Sequence, residues 1–301
     1  MKNIFCILIV AVLFTSCGDF FEQTLEIEPP AHTDQMAISA FFAKTSTENL
    51  PLRVLVSRST AILDNPDRNN SNLDDATVDL LSEGELLTNI PLRVGNSSAF
   101  NYELNDNPVI FQQGQSYTLR VNHPDYEEAS STVTVPQEVI PFRFDLEEDG
   151  GVDEFGDRVD RITVEFNDPV DQENFYEIAA YTRVTFPNQN TSTDNHFINS
   201  LDFNLQESFY GAKLLTDESF NGQTYKLLMD IDRYEDEQGV YETFLIWRSV
   251  TKDYYQFVRS VRQQNDSEEN FGPFAEPVTI KANFTGGLGL FSINVENILP
   301  L

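Results

Sequence analysis

The sequence predicts a mainly β protein: an N-terminal immunoglobulin-like β-sandwich, then a second antiparallel β domain with one amphipathic helix near the C-terminus. Two observations predict the sheets. Short apolar runs alternate with polar residues between turn residues, and these runs are rich in Val, Ile, Phe, Tyr and Thr. A third observation predicts the helix, because apolar residues recur at helical spacing in residues 252–264.

Residues 1–16 have the layout of a signal peptide for export. Lys2 precedes an apolar run from Ile4 to Phe14, and Thr15 and Ser16 stand directly before Cys17. A membrane-spanning helix needs about 20 apolar residues, and this run is shorter. We therefore expect the segment to be read by the export machinery and removed.

Cys17 is the predicted site of a lipid anchor. The segment from Leu13 to Cys17 resembles the lipobox of bacterial lipoproteins, although Phe14 stands where that motif usually carries leucine. The alternative is an ordinary cleaved signal with a chance cysteine. Lipidation is favoured because the signal, the small residues and the cysteine coincide at the cleavage point. Two or more acyl chains would hold the protein on a membrane, since each buried methylene contributes about 0.8 kcal/mol.

Cysteine content and charge exclude several classes of protein. Cys6 lies in the signal, so the mature chain has only Cys17, which leaves no disulfide and no cysteine nucleophile. After loss of Lys2, 49 acidic and 18 basic residues give an excess of 31 negative charges. Nucleic acid is therefore excluded as a partner, because phosphate backbones are bound through clustered Lys and Arg. We interpret the acidity as a solvated surface rather than a site for a specific cation.

Residues 17–35 are predicted to form an acidic tether behind the lipidated cysteine, because residues 22–35 have few apolar side chains and contain Glu26, Glu28, Pro29, Pro30 and Asp34. Residues 36–137 are predicted to form the immunoglobulin-like sandwich, from regularly spaced strands with no helix among them. The predicted strands are 37–43, 52–57, 77–81, 100–104, 117–121 and 131–135.

Pro136 and Pro141 mark the predicted domain boundary, and residues 138–301 form the second β domain. Its predicted strands are 139–146, 159–166, 175–186, 197–205, 225–230 and 240–247. Thr251 is a plausible N-cap for the helix at 252–264, which we expect to pack on a sheet.

One acidic stretch partly matches a calcium-binding loop. Asp145, Glu147, Asp149 and Asp153 stand at alternating positions with a glycine sixth, but the twelfth position is Gly156 instead of a bidentate acid. A hairpin tip is the favoured interpretation. Asp64, Asp67, Asp74 and Asp75 form a looser acidic loop with the same interpretation.

No catalytic residue and no cofactor are predicted. His32, His123 and His196 are isolated, lack metal-binding spacing and are expected at the surface or in turns. No Gly-x-Ser-x-Gly motif occurs, and acidic residues are too numerous to single out a glycosidase pair.

The glycines from Gly286 to Gly289 predict a tight turn or a close backbone approach between strands, since no phosphate-loop lysine or helix follows them. The phenylalanines around them are predicted to belong to the core rather than to a ligand groove. They are Phe271, Phe274, Phe284 and Phe291.

Several segments together resemble the domain-of-unknown-function 4249 family of Bacteroidota envelope lipoproteins. They are Asp75–Val78, Tyr117–Val121, Val133–Pro136, Phe220–Tyr225, Tyr254–Phe257, Pro273–Pro277 and Gly286–Phe291. The resemblance implies a lipoprotein of the outer membrane, in a family often encoded beside TonB-dependent receptors and without established catalytic residues. It leaves open whether the folded part faces the periplasm or the cell surface.

The leading functional hypothesis is therefore a non-enzymatic binding or accessory lipoprotein that works with a TonB-dependent receptor and is held on the membrane by its lipid. A structural or adhesive surface module is the alternative, and a glycan hydrolase is a third. Only the acidic richness supports the hydrolase.

Overall fold

A computed structural model describes residues 32–46, 49–61, 71–95, 99–153, 155–187, 189–232, 239–271 and 278–301. The signal peptide, Cys17, most of the tether, Asp64 and Asp67 lie outside these residues. Asp34–Ser59 and Pro66–Leu301 form one compact unit, which contains every strand and helix named below.

The described chain is mainly β with one α-helix near its C-terminal end, as the sequence predicts. The strands and helix are β1 Met36–Thr45, β2 Leu52–Arg58, β3 Thr77–Ser82, β4 Glu85–Asn89, β5 Tyr102–Leu104, β6 Ser116–Asn122, β7 Ala129–Thr134, β8 Arg143–Val152, β9 Arg158–Asn167, β10 Phe175–Thr185, β11 Thr191–His196, β12 Gln206–Glu207, β13 Lys213–Thr216, β14 Thr224–Ile231, β15 Val240–Val250, α1 Lys252–Phe271 and β16 Leu288–Pro300.

The first sandwich has the strand arrangement of an immunoglobulin-like domain. Strands β1, β2 and β5 lie in one sheet, and the order β4-β3-β6-β7 forms the opposing sheet. This separation of the first, second and fifth strands from the third, sixth and seventh is the immunoglobulin pattern. Inward residues such as Ile38, Val54, Leu80 and Leu119 form its core. The predicted N-terminal sandwich is confirmed.

The second half repeats this strand order, which its sequence does not reveal. Strands β14-β9-β8 form one sheet, and β13-β10-β15-β16 form the opposing one. In chain order β8, β9 and β14 correspond to β1, β2 and β5, while β13, β10, β15 and β16 correspond to β4, β3, β6 and β7. Aromatic residues such as Phe166, Tyr176 and Trp247 fill the core between them. The helix is inserted between the last two strands of this half.

Strand β16 joins the two sandwiches into one nine-stranded sheet. It pairs antiparallel with β15 of the second sandwich and parallel with β1 of the first. Its residues Phe291, Ile293 and Val295 belong to the core of the first sandwich. The domain boundary at residues 137 and 138 stays a prediction, but the large sheet contains strands from either side of it.

The helix packs on the face of the large sheet that points away from the second core. Its residues Tyr254, Tyr255 and Val258 cluster with Leu214 of β13 and Val250 of β15. Side chains alternate between the two faces of a strand, and the residues next to Leu214 and Val250 face the second core, so these two face the helix. The Thr251 hydroxyl accepts a hydrogen bond from the Tyr254 backbone N–H at 3.2 Å, so Thr251 caps the helix as predicted. The helix begins where the sequence predicts and continues beyond residue 264 to Phe271.

The glycines before β16 make the predicted close backbone approach. Gly289 has φ of +106°, and a Cβ there would lie 1.9 Å from the Ile38 carbonyl oxygen. Gly286 has φ of +80°, and its Cβ would lie 2.1 Å from the Glu128 oxygen. Phe291 is fully buried and Phe284 packs against the first core, as predicted. Phe274 and the side chain of Phe271 lie outside the described part.

One predicted strand is wrong. Residues 197–205 form a loop after β11, because turn-forming Asn199, Ser200, Asp202 and Asn204 interrupt the apolar residues and bond to neighbouring elements. Strands β4, β11, β12, β13 and β16 were not predicted. The strand predicted at 139–146 starts later, at Arg143.

Candidate binding surface

The loop after β11 holds several large apolar side chains in solvent. The exposed fractions are 67% for Phe197, 104% for Leu201, and 87% for both Phe203 and Tyr210. We call residues 197–210 the apolar loop. Single exposed apolar residues are ordinary, but several on one segment mark an interaction site. The sequence prediction missed these residues because it placed 197–205 in a strand.

Backbone pairing attaches the start of the apolar loop to β14. Asn199 and Asp230 exchange backbone hydrogen bonds of 2.8 and 2.7 Å. The Ser200 hydroxyl donates to the Leu228 carbonyl oxygen at 2.7 Å. These bonds fix the chain between Phe197 and Leu201 to a regular strand.

A half-buried polar network orders the middle of the loop. The Tyr225 hydroxyl donates to Asp202 Oδ2 at 2.8 Å and accepts from Asn204 Nδ2 at 2.6 Å. Asp202 Oδ1 accepts from the Asn204 backbone N–H at 2.9 Å, and Ser219 donates to Asn204 Oδ1 at 3.0 Å. Burial, followed by the bond to Asp202, raises the pKa of Tyr225. Phe203 thus projects from a turn whose polar groups are satisfied.

Tyr210 closes the apolar loop in a strained conformation. Its φ of 54° and ψ of 37° lie in the left-handed region, which costs a non-glycine residue about 1–3 kcal/mol. Gly211 follows with φ of +81°, and a Cβ there would lie 2.7 Å from the Phe197 Cα. The Ile198 N–H donates to the Gly211 carbonyl at 3.0 Å. The two ends of the loop are therefore held together, with the Tyr210 ring outside.

The charged residues within the apolar loop are acidic. Residues 197–212 contain Asp202 and Glu207 and no Lys or Arg. Lys213, at the start of β13, bonds to Glu207 and is itself buried. The loop therefore offers an apolar surface whose two acidic side chains are both bonded within the protein.

A cleft of about 380 Å³ lies between the two sandwiches, formed by residues 134–137, 172–176 and 249–252 with Gly114. Its volume is within the range of small-molecule sites, roughly 300–1,000 Å³. Lys252 and Glu173 form an exposed ion pair of 2.6 Å among its lining residues. Its lining includes several polar side chains, of which Asn174 is already bonded to Asp217 and to the backbone.

Two buried carboxylates beside this cleft hold loops together. Asp168 accepts from the Tyr176 hydroxyl at 2.6 Å and from the Gly222 N–H at 2.9 Å. Asp217 accepts from the Asn174 backbone N–H at 2.8 Å. Burial, with a further contribution from the Asp168 charge, raises the pKa of Asp217. The hydrogen bonds that anchor these loops thus explain why Asp168 and Asp217 are buried.

The four calcium candidates lie on a β-hairpin. Asp145, on β8, pairs with Arg143 at 2.6 Å, and Asp149 has φ of 54° within the irregular part of the same strand. Asp153 Oδ1 accepts the backbone N–H groups of residues 155 and 157 in the hairpin turn. Glu147 pairs in register with Arg161 on β9. In the described ranges, no group of three or more His, Cys, Asp or Glu residues could hold a metal ion.

The expectation of surface or turn histidines is wrong for His196, which ends strand β11, whereas His123 begins the turn between β6 and β7 as expected. His196 is buried, its Nε2 lies 2.8 Å from the Thr182 hydroxyl, and burial lowers its pKa. His123 is also buried, with Nε2 2.5 Å from Asp75 and Nδ1 accepting from the Asp125 N–H. Asp74, from the same acidic loop, accepts from Asn101 at 3.0 Å.

The fold and the apolar loop define a protein of two immunoglobulin-like sandwiches that share one sheet and expose an ordered apolar loop. The chain belongs to the family described as Domain of unknown function (DUF4249), whose model matches residues 22–296. This confirms the family resemblance seen in the sequence.

Other comparisons are remote. No curated protein matches the chain. A solved structure, "Biofilm associated protein - B domain", has 8% sequence identity over 87% of this chain and 85% of that chain. Its TM-score of 0.19 is too low to support an argument about fold or function. Across the described ranges, no helix has the length and apolar content needed to cross a bilayer.

Proposed function

We propose that this chain is a non-enzymatic binding or accessory lipoprotein that contacts a protein partner through the apolar loop. The observation that carries the proposal is the exposure of Phe197, Leu201, Phe203 and Tyr210 on a loop fixed by hydrogen bonds. Solvent-exposed apolar groups gain free energy only when something covers them. The ordered backbone means that little conformational entropy is lost when a partner does so.

The energetic scale of such a contact is substantial. Burying one Leu or Phe side chain completely is worth about 1.5–3 kcal/mol. Aromatic residues are enriched at protein interfaces, and Tyr is among the residues that carry most of the binding energy. Three of the four large apolar side chains exposed on the apolar loop are aromatic.

We propose that the partner is an outer-membrane receptor of the TonB-dependent class, and that the lipid on Cys17 holds the protein on the outer membrane beside it. The lipobox-like sequence and acidic tether support the location, and the family resemblance supports the class of partner.

A structural or adhesive role is the second candidate. The support for it is the sheet that continues from β12 through β16 to β5, which makes both sandwiches one stiff spacer. Such a role would not depend on four particular side chains of one loop, so the two candidates differ in a measurable way.

The test is a pull-down of envelope proteins from detergent-solubilised membranes with three forms of the full chain. The first is wild type, and the second carries Phe197→Ser, Leu201→Ser, Phe203→Ser and Tyr210→Asn. The third is a matched control with Leu86→Ser and Leu87→Ser on β4, where the side chains are 58% and 42% exposed. Asn is chosen at position 210 because it tolerates positive φ.

We expect wild type and the β4 control to recover an outer-membrane barrel and the apolar-loop variant to lose it. Equal recovery by all three forms would exclude the loop as the docking surface. Absence of a barrel from the wild-type sample would overturn the receptor proposal. Thermal unfolding of each form shows whether a loss of binding comes from a loss of folding.

A further inference from the structure

A pair of arginines on the first sandwich forms a second polar feature, distant in sequence from the apolar loop. Arg53 lies on β2, directly opposite Glu103 of β5. Arg93 follows β4, and its backbone N–H bonds to the Asn101 carbonyl at 2.7 Å. We infer that Arg53 and Arg93 form a binding site for the carboxylate group of a small acidic ligand.

One carboxylate holds both guanidinium groups. Arg53 Nε donates to Glu103 Oε1 at 2.9 Å, and Arg93 Nε donates to Glu103 Oε2 at 3.2 Å. The Glu103 side chain is 10% exposed, whereas those of Arg53 and Arg93 are 53% and 30% exposed. The acid therefore lies beneath two arginines that reach the solvent.

An aromatic ring fixes the same two groups. The Arg53 and Arg93 guanidinium carbons lie 4.8 and 5.2 Å from the centroid of the Phe100 ring. A guanidinium that stacks on a ring and bonds through Nε has lost most of its rotational freedom already. The two side chains are therefore already ordered before an anion binds, so binding costs little further conformational entropy.

The cluster retains charge and donors for a ligand. Two guanidinium groups face one carboxylate, so one positive charge is uncompensated. Arg93 Nη1 donates to the Gly95 carbonyl at 3.2 Å. The other Nη groups of the pair have no protein acceptor within the part of the chain that the structure describes. Guanidinium N–H pairs match a carboxylate in a bidentate geometry.

The charge of the whole chain limits the ligand to a small one. The 49 acidic residues of the sequence would repel a polyanion. Screening at physiological ionic strength acts beyond about 8 Å, so a compact monoanion experiences mainly the local pair. The site is independent of the partner contact proposed for the apolar loop.

The test uses ¹⁵N-labelled full-length mature protein, in which the Arg Nε–H signals report on the two side chains. The protein is titrated with sodium glucuronate at constant ionic strength set with sodium chloride. Glucose serves as the neutral probe of similar size. Sodium phosphate, as a further arm, distinguishes a carboxylate preference from general oxyanion binding.

We expect saturable shifts of the Arg53 and Arg93 signals with glucuronate and none with glucose. Arg53→Lys with Arg93→Lys keeps both charges but loses the fork geometry, so the dissociation constant should rise by about tenfold or more. Arg143→Lys, at the exposed pair with Asp145, is the matched control and should leave binding unchanged. Linear shifts, or equal shifts with chloride, would overturn the proposal.

Glu103→Gln separates a built site from simple charge attraction. This change adds one net positive charge, so attraction alone would tighten binding. If Glu103 positions the two arginines, the same change weakens glucuronate binding. Tighter or unchanged binding by Glu103→Gln would show that the arrangement of the arginines does not matter. Phe100→Leu, which leaves the charge unaltered, should weaken binding in the same direction.

Discussion

At Glu177, on β10, a single buried carboxylate connects the helix to the large sheet. It accepts hydrogen bonds from Tyr254 of α1 at 2.9 and 3.0 Å and from Arg248 of β15 at 2.8 Å. Arg248 also donates to Glu296 on β16 at 2.7 Å. Burial and the Glu177 charge raise the pKa of Tyr254 well above its ordinary value. Glu177 and Glu296 keep Arg248 protonated. The helix therefore packs over three charged side chains that hydrogen bonds hold in place.

Glu177→Ala should therefore lower the free energy of unfolding by about 3 kcal/mol, because it removes the acceptor of the buried Tyr254 hydroxyl and one of the two carboxylates that pair with the largely buried Arg248. The measurement is urea unfolding at neutral pH. Glu173→Ala is the matched control. Its side chain is 66% exposed in the pair with Lys252, and such pairs contribute about 0–1 kcal/mol. Equal effects of the two substitutions would contradict this account.

The raised pKa of Asp217 predicts that this group lowers the stability of the folded state as the pH rises. Below its ordinary pKa of 3.8 the group is protonated in the folded and unfolded states alike. As the pH rises through the window between 3.8 and the higher folded-state value, the unfolded state ionises first, and the folded state loses stability relative to it.

Asp217→Asn keeps an acceptor oxygen for the Asn174 N–H and removes the charge. The stability of this variant relative to wild type should therefore increase as the pH rises through this window, and then level off once Asp217 is ionised in the folded wild type as well. Melting temperatures of both proteins across that range test the expectation. A difference that stays constant with pH would show that burial of the charge is not its cause.

Strands and helices with a regular apolar period could be predicted from the sequence. Those that depend on contacts between residues distant in the sequence could not. Strands such as β2 and β9, and the start of α1 behind Thr251, follow from alternation and helical spacing. Strand β16 could not be recognised because its glycines indicate a turn. Gly289 is required by the approach of β1, a partner remote in sequence.

Gly289→Ala should consequently lower the free energy of unfolding by more than about 3 kcal/mol, since positive φ and a collision with the Ile38 carbonyl act together. Gly84→Ala is a matched control, with φ of +84° and no atom within 4 Å of the added Cβ. It should cost about 1 kcal/mol from backbone strain alone. Chemical denaturation of both variants measures the difference, and similar costs would argue against a tight β1–β16 contact.

The apolar loop shows why the candidate site could not be predicted from the sequence. Phe197, Leu201 and Phe203 have the composition of a strand, and burial is the usual outcome for such residues. Their exposure depends on Asp202, Asn204 and Tyr225, which form a polar network across two segments of the chain. Pairing between such segments is not visible in local sequence patterns.

At the scale of the whole molecule, the two sandwiches depend on each other through β16. The first core is completed by Phe291, Ile293 and Val295, which come from the end of the chain. A fragment of residues 34–137 lacks these side chains and exposes the edge of β1, although it contains every other strand of the first sandwich. An unpaired edge beside an incomplete core is both unstable and prone to aggregation.

The fragment 34–137 should therefore show no cooperative thermal transition, whereas the same fragment joined through a flexible linker to residues 286–301 should regain one. Full-length protein should unfold in a single transition, because loss of β16 from either sandwich removes a central strand of the shared sheet. A control fusion with Phe291→Ser and Ile293→Ser keeps the strand length but not the apolar contacts. Cooperative unfolding of the fragment alone, at the melting temperature of the full chain, would show that the first sandwich is independent of β16.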